Sequence, residues 1–264
     1  MIDWASIGVK PKVISLKSRE DRQLHAQESA AKLGLEIDFF LAERHPGGGA
    51  HGCFDSHIKV CQDAIMKQQK RVFILEDDFE GTDELLNGSG SPALEEAIAF
   101  INSTDDWDIL YLGVLPNIWS ETSERKGKYM YKCKPWSCTH AMIINEDYMK
   151  KMSEWTFGEK GKDAIDWRHR KCERAYSFHP QAMKQCESPS DIRASQIPAP
   201  HFIRDMPVNS ASWYARNVGY SMGKLLAISG ISVLTFAMGR ASVGQNKEFA
   251  TKKLSEGILA FTKK

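Results

Sequence analysis

The chain reads as an α/β protein. Strand-like and helix-like segments alternate from residue 12 onward, and strands separated by helices pair in parallel within one sheet. The third strand, "RVFILE" (71–76), is apolar at successive rather than alternate positions, the pattern of a strand buried on both faces. At 264 residues, 42% apolar and 26% charged, the chain is long enough for one substantial domain with an appendage.

The elements follow in order. "KVISL" (12–16) is a short buried strand. The next segment reads as a helix with Ser18 as its N-cap, Asp21 three residues on, and Gly34 as its stop. "IDFFLA" (37–42) is the second strand. Three consecutive glycines in "HPGGGAHGCF" suggest a mobile loop before a helix that runs to about Lys70. After the third strand, a polar loop ("GTDELLNGSGSP") leads into the helix "ALEEAIAFINS" and the strand "WDILYLGV" (107–114). "KYMYKC" and "THAMIIN" are further extended pieces, Asn145 caps the helix "EDYMKKMSEW", and "GKDAIDWRHRKCERAY" reads as another helix.

Composition narrows the function classes. A net charge of +1 over the whole chain argues against nucleic-acid binding as the main task. The charge is uneven: residues 205–264 carry eight Lys/Arg and three Asp/Glu, a net of +5, which leaves −4 for residues 1–204. We therefore expect a main domain over 1–204 and a basic, partly apolar helical extension over 205–264. Within it, "LLAISGISVLTFAMG" (225–239) is shorter than the ~20 residues of a membrane span. It suits a helix packed on the domain, or one lying on an anionic membrane surface. The N-terminus lacks the pattern of a secretory signal, and the six scattered cysteines form no CxxC pair. Both point to a reducing, cytoplasmic setting, with peripheral membrane contact as an option.

The chemistry concentrates where "RVFILE" runs into Glu76, Asp77 and Asp78. In an extended segment alternate side chains share a side, so Glu76 and Asp78 should face one way and Asp77 the other. Two oxygen ligands at the mouth of a strand suit a hard divalent cation, and open α/β sheets bind ligands at the carboxyl ends of their strands. A loop made soluble by acidic residues is the plainer alternative.

The ordered series "VISLKSREDR", "GCFDSH", "RVFILEDDFE", "DWDILYLG", "CTHAMIINEDYMKKM", "AIDWRHRK" and "SPSDI", over about residues 11–193, resembles glycosyltransferase family 25. That family includes lipooligosaccharide and procollagen galactosyltransferases. The resemblance implies a GT-A-type, Rossmann-like fold that binds a UDP-hexose, galactose before glucose, with Mn²⁺ (or Mg²⁺) on the diphosphate. Asp78 would be the leading metal ligand, assisted by Glu76, with Asp77 in support. Ser15, Lys17, Arg19 and Arg22 would meet the uracil, ribose or diphosphate, although spacing suggests that not all four reach. Ser56 and His57 match the family's Ser-His pair and would begin a helix facing the donor.

Such enzymes are expected to invert at the anomeric carbon, which requires a base for the acceptor hydroxyl. Asp166 is the candidate base, with a helix cap as its alternative and Asp163 as a competing cap. His179 and His201 are candidates for a later metal ligand, Ser190-Asp191-Ile192 matches a family motif, and His140 receives no role. The acceptor would be a hydroxyl of a glycan, a lipid-linked glycan or a hydroxylysine-type side chain. The glycine run departs from the family's pattern, as a closing loop or a surface insertion. It is no phosphate loop, because no Gly-Lys-Ser/Thr follows. Two other readings compete: a binding or adhesion module that lost turnover, and a metal-dependent phosphohydrolase, for which the first strand lacks a nucleophilic Asp.

Overall fold

The computed structural model describes residues 2–116, 125–133, 135–158 and 164–186. Ser190-Asp191-Ile192, His201, Asp163, the boundary expected at 204 and the segment 225–239 lie outside them.

The first strand, β1 (Lys12–Leu16), lies between β2 (Asp38–Ala42) and β3 (Arg71–Glu76) and pairs in parallel with both. The helices that make these crossovers are α1 (Glu20–Leu33) and α2 (Gly49–Met66). Next come a short strand, β4 (Phe79–Gly81), and, in what the sequence suggested was loop, the one-turn helix α3 (Asp83–Leu86), capped by the Thr82 hydroxyl. Then follow α4 (Ser91–Ser103), β5 (Ile109–Pro116), β6 (Met130–Lys132), β7 (Pro135–Asn145), α5 (Glu146–Ser153), α6 (Ile165–His169), β8 (Ala175–Phe178) and β9 (Met183–Gln185).

The main sheet has the order β2-β1-β3-β7-β5-β8-β6. Five of these seven strands run one way, while β7 and β6 oppose them, so the sheet is mixed but mainly parallel. β4 and β9 form a separate antiparallel pair. The continuous apolar run of β3 is explained by its place. Phe73 and Leu75 enter a core with Ala93, Leu94 and Ala97 of α4, while Val72 and Ile74 enter a second core with Phe54 and Cys61 of α2 and Met149 of α5. Helices thus cover both faces, and each of these fully buried β3 side chains contributes about 1.5–3 kcal/mol.

Local signals hold where they are purely local. Gly34 ends α1 in the left-handed region (φ 63°), its N–H bonding back to Ala30 and Ala31, and Asn145 accepts the Tyr148 N–H at the start of α5 (2.9 Å). Three expectations need correction. Ser18 is not the N-cap of α1: the Arg19 N–H closes a turn onto Leu16 O (3.0 Å), which moves the cap to Arg19, and Asp21 pairs with the Arg19 guanidinium. The glycine run is a tight turn feeding directly into α2, whose first residue is Gly49, and α2 stops at Met66 rather than Lys70. Finally, "GKDAIDWRHRKCERAY" yields only the short α6. Residues 175–178 are all buried and form strand β8, with Ala175 and Tyr176 opposite Ile109 and Leu110 of β5.

Candidate functional site

β1 and β3 both deliver their carboxyl ends to one edge of the sheet, and the antiparallel β7 enters the sheet at that same edge, with Ala141 opposite Leu75. The acidic triplet sits there. β3 ends at Glu76, and the chain turns through Asp77 and Asp78 before β4 begins at Phe79. This corrects the expected alternation along an extended segment, because a turn redirects the three carboxylates individually.

Asp77 points back toward the start of α1. Its carboxylate accepts the Ser15 hydroxyl (2.6 Å) and the Arg22 guanidinium (2.8 Å), and the residue is buried. Asp78 lies 3.8 Å from the same Arg22 Nη1, and its Oδ2 accepts weakly from Gln185 on β9 (3.5 Å). Its other oxygen, Oδ1, is buried with no hydrogen-bond partner. Glu76 turns toward β7 and α2: it accepts the Thr139 hydroxyl (2.6 Å), and its Oε1 is 3.6 Å from His57 Nε2.

Electrostatics follow from this burial. Desolvation, opposed by the Thr139 hydrogen bond and reinforced by Asp77 and Asp166, raises Glu76 above the usual carboxylate range. Desolvation and the charge of Glu76 raise Asp78, with Arg22 pulling the other way. Both carboxyls therefore resist carrying full charge near neutrality unless further positive charge arrives. His57, fully buried, is pushed down by desolvation and is neutral. Its Nδ1 donates to Cys53 O (2.9 Å), which turns the bare Nε2 toward Glu76. Burial and the nearby carboxylates raise Cys53 and keep it a thiol.

The remaining sequence candidates fall as follows. Lys17 pairs with Glu43 (2.6 Å) and Arg19 with Asp21 (2.8 Å), both toward the surface, whereas Ser15 and Arg22 face the acidic turn. Ser56 and His57 do not begin a helix. They sit well inside α2, where the Ser56 hydroxyl bonds back to Gly52 O (2.7 Å). Asp166 is in the first turn of α6, which packs on α2 and β7, and its charge is felt by Glu76, His57 and Cys53. The cap of α6 is Ala164, so Asp166 is not a cap. His179 stacks on Tyr131 of edge strand β6 (4.7 Å between ring centres), and burial lowers it to about 3. His140 is buried and lowered to about 4.

Residues that the sequence did not mark are Thr139, Gln185 and Cys53. Thr139 lay in the quoted "CTHAMIIN" and Cys53 in "GCFDSH", without a chemical reason to select either. Gln185 belongs to a strand with no sequence signal. Asp78 Oδ1 is a buried carboxylate oxygen with no hydrogen-bond partner, and Glu76, raised by burial like Asp78, has a ligand oxygen within 4.8 Å of ligand atoms of Cys53 and His57; carboxylate oxygens of this kind suit a divalent cation.

No family model and no curated protein matches the chain. Solved structures to which the chain is similar include A197 from STIV, at 14% identity over 69% of this chain and 87% of that one, with a TM-score of 0.41. Another is a glycosyltransferase involved in the glycosylation of the major capsid of PBCV-1 (10% identity, 55% and 63% of the two chains, TM-score 0.31). A third is a Drosophila β1,4-galactosyltransferase 7 mutant complexed with manganese, UDP-Gal and xylobiose (7% identity, 76% and 82%, TM-score 0.35).

Proposed function

We propose that this chain is a metal-dependent, inverting glycosyltransferase of the family 25, GT-A type, moving a hexose from UDP to a hydroxyl acceptor. Galactose is the first candidate for the sugar and glucose the second. The observation that carries the reading is the buried acidic turn at the carboxyl end of β3, with the unpartnered Asp78 Oδ1. Asp78 and Glu76 would hold Mn²⁺ or Mg²⁺, and the cation would neutralise charge on the departing diphosphate. Arg22 and Ser15 hold Asp77 and so set the shape of the turn, while Thr139 holds Glu76.

Asp166 takes the proton from the acceptor hydroxyl as its oxygen bonds to the anomeric carbon and the bond to UDP breaks. Its position on α6, across from Glu76 and His57, supports that role. The acceptor is a glycan, a lipid-linked glycan or a hydroxylysine-type side chain. A thermal-shift screen of UDP-sugars with and without Mn²⁺ tests the proposal. Stabilisation by one UDP-hexose only in the presence of metal is expected. Equal response to all nucleotides, or none, would count against it.

A further inference from the structure

The glycine run raises a question that the acidic turn does not answer: why the chain needs so little side chain at residues 47–49. Around that turn the structure gathers His45, His51 and Asp55, whose ligand atoms all lie within 4.8 Å of one another. His51 and Asp55 are one turn apart on α2, and His45 folds back from the middle of the β2–α2 connection. The glycines make this possible. A Cβ on Gly47 would come within 2.6 Å of His51 Nδ1 and 2.9 Å of His45 Nδ1, and one on Gly52 within 3.1 Å of His45 Cβ.

We propose that His45, His51 and Asp55 form a binding site for a zinc-class divalent cation, built from none of the residues of the acidic turn. The donor set is two imidazoles and one carboxylate, a set that prefers borderline metals such as zinc to Mg²⁺ or Mn²⁺. The spacing agrees. His45 Nε2 is 3.5 Å from Asp55 Oδ2 and His51 Nε2 is 3.6 Å from Asp55 Oδ1. Each ends on a different Asp55 oxygen and is long for an N–H···O bond, near the ~3.4 Å edge of a tetrahedron with metal–nitrogen bonds of ~2.05 Å, so the carboxylate turns to offer one oxygen to both rings when the ion binds. All three side chains are only 25–30% exposed, so the site is shielded yet reachable.

Three present contacts change when the ion binds. The Gly47 N–H donates to His45 Nδ1 (2.9 Å), which leaves the neutral ring's proton on Nε2. Ligation at Nε2 moves that proton to Nδ1 and exchanges the Gly47 bond for a metal bond. The two imidazoles now stack at 3.9 Å, with His51 also stacked on Phe157 at 4.2 Å, and one ion shared by both rings turns them out of that stack. Lys59, 3.9 Å from Asp55 and largely exposed, swings into solvent. The ion would pin the turn before α2 onto the helix that carries His57.

The test is equilibrium dialysis of the full chain against Zn²⁺ alone, followed by metal analysis, for the wild type, His51→Gln, Asp55→Asn, Cys53→Ser and Asp78→Ala. Wild type, Cys53→Ser and Asp78→Ala should retain the zinc, while His51→Gln and Asp55→Asn should bind it roughly tenfold or more weakly. Asp55→Asn keeps the size of the side chain, so it remains informative if His51→Gln misfolds by circular dichroism. Zinc retained by Asp55→Asn, zinc lost in Cys53→Ser, or no zinc on the wild type would each overturn the proposal. Loss of Mn²⁺-dependent UDP binding in Asp78→Ala with zinc retained would separate this site from the nucleotide-sugar site.

Discussion

Arg22→Met removes the guanidinium 2.8 Å from Asp77 and 3.8 Å from Asp78 while keeping an apolar stem of similar length. Both members of the closer pair are well buried, at 13% and 10% side-chain exposure. Removing one partner of a buried ion pair costs about 3–5 kcal/mol, because the other charge is left uncompensated. Asp77 keeps the Ser15 hydroxyl at 2.6 Å, which places the expected loss near the lower bound, about 3 kcal/mol. For a domain of this size that is a fall in Tm of about 6–12 °C.

The loss should also depend on pH. Burial holds Glu76 and Asp78 above the usual carboxylate range, and Arg22 pulls both down. A carboxyl whose native pKa exceeds its unfolded value binds protons preferentially in the native state, so its contribution to stability grows as pH falls from neutrality towards about 4. Without Arg22 both groups rise further, so the deficit is larger at pH 8 than at pH 5.5. Mn²⁺ should recover part of the deficit at pH 8 by supplying the missing charge. Thermal melts of both proteins at the two pH values, with and without Mn²⁺, measure this. A Tm within about 2 °C of wild type at pH 8, or a deficit that does not change with pH, would refute the reasoning.

Three further outcomes are expected. Asp166→Asn should bind UDP-sugar with Mn²⁺ normally while transfer falls by about 10²–10⁴-fold; a near wild-type rate in a product assay would place the base elsewhere. Gly113→Ala should destabilise the fold by about 1–3 kcal/mol in urea melts, since a Cβ there would run into His140 and the Met183 carbonyl. Burial lowers His169 to about 3, so its neutral form contributes stability above its unfolded pKa of about 6.5, and that contribution is lost as pH falls towards 3. His169→Gln should therefore reduce the stability lost between pH 7 and 5 by about 2 kcal/mol, read as the change in urea-melt midpoints with pH. An unchanged slope would show that His169 is not held neutral.

What the sequence made legible was what local chemistry decides. The run Val72–Leu75 demanded burial on both faces, and β3 lies inside the sheet with a core on each side. Gly34 and Asn145 are caps because a left-handed backbone and an amide side chain suit those positions within one helical turn. What failed depended on partners distant in the chain. Asp77 and Asp78 read as the continuation of a strand, yet β4 pairs with β9, more than 100 residues away, and the chain turns at them. Ala175 and Tyr176 read as the end of a helix because their strand partner, β5, cannot be seen from composition. The positive charge beside the carboxylates was sought in a cation, while Arg22, 55 residues before Asp77, already supplies part of it. Thr139 and Gln185 were missed for the same reason: each meets the acidic turn only through sheet pairing.

The proposal of a nucleotide-sugar site at the acidic turn is tested most directly by calorimetric titration of UDP, in the presence of Mn²⁺, into wild-type and Asp78→Ala protein. Metal-dependent binding to the wild type is expected, with none to Asp78→Ala while its circular dichroism stays native. Unchanged affinity in a folded Asp78→Ala protein would contradict the assignment.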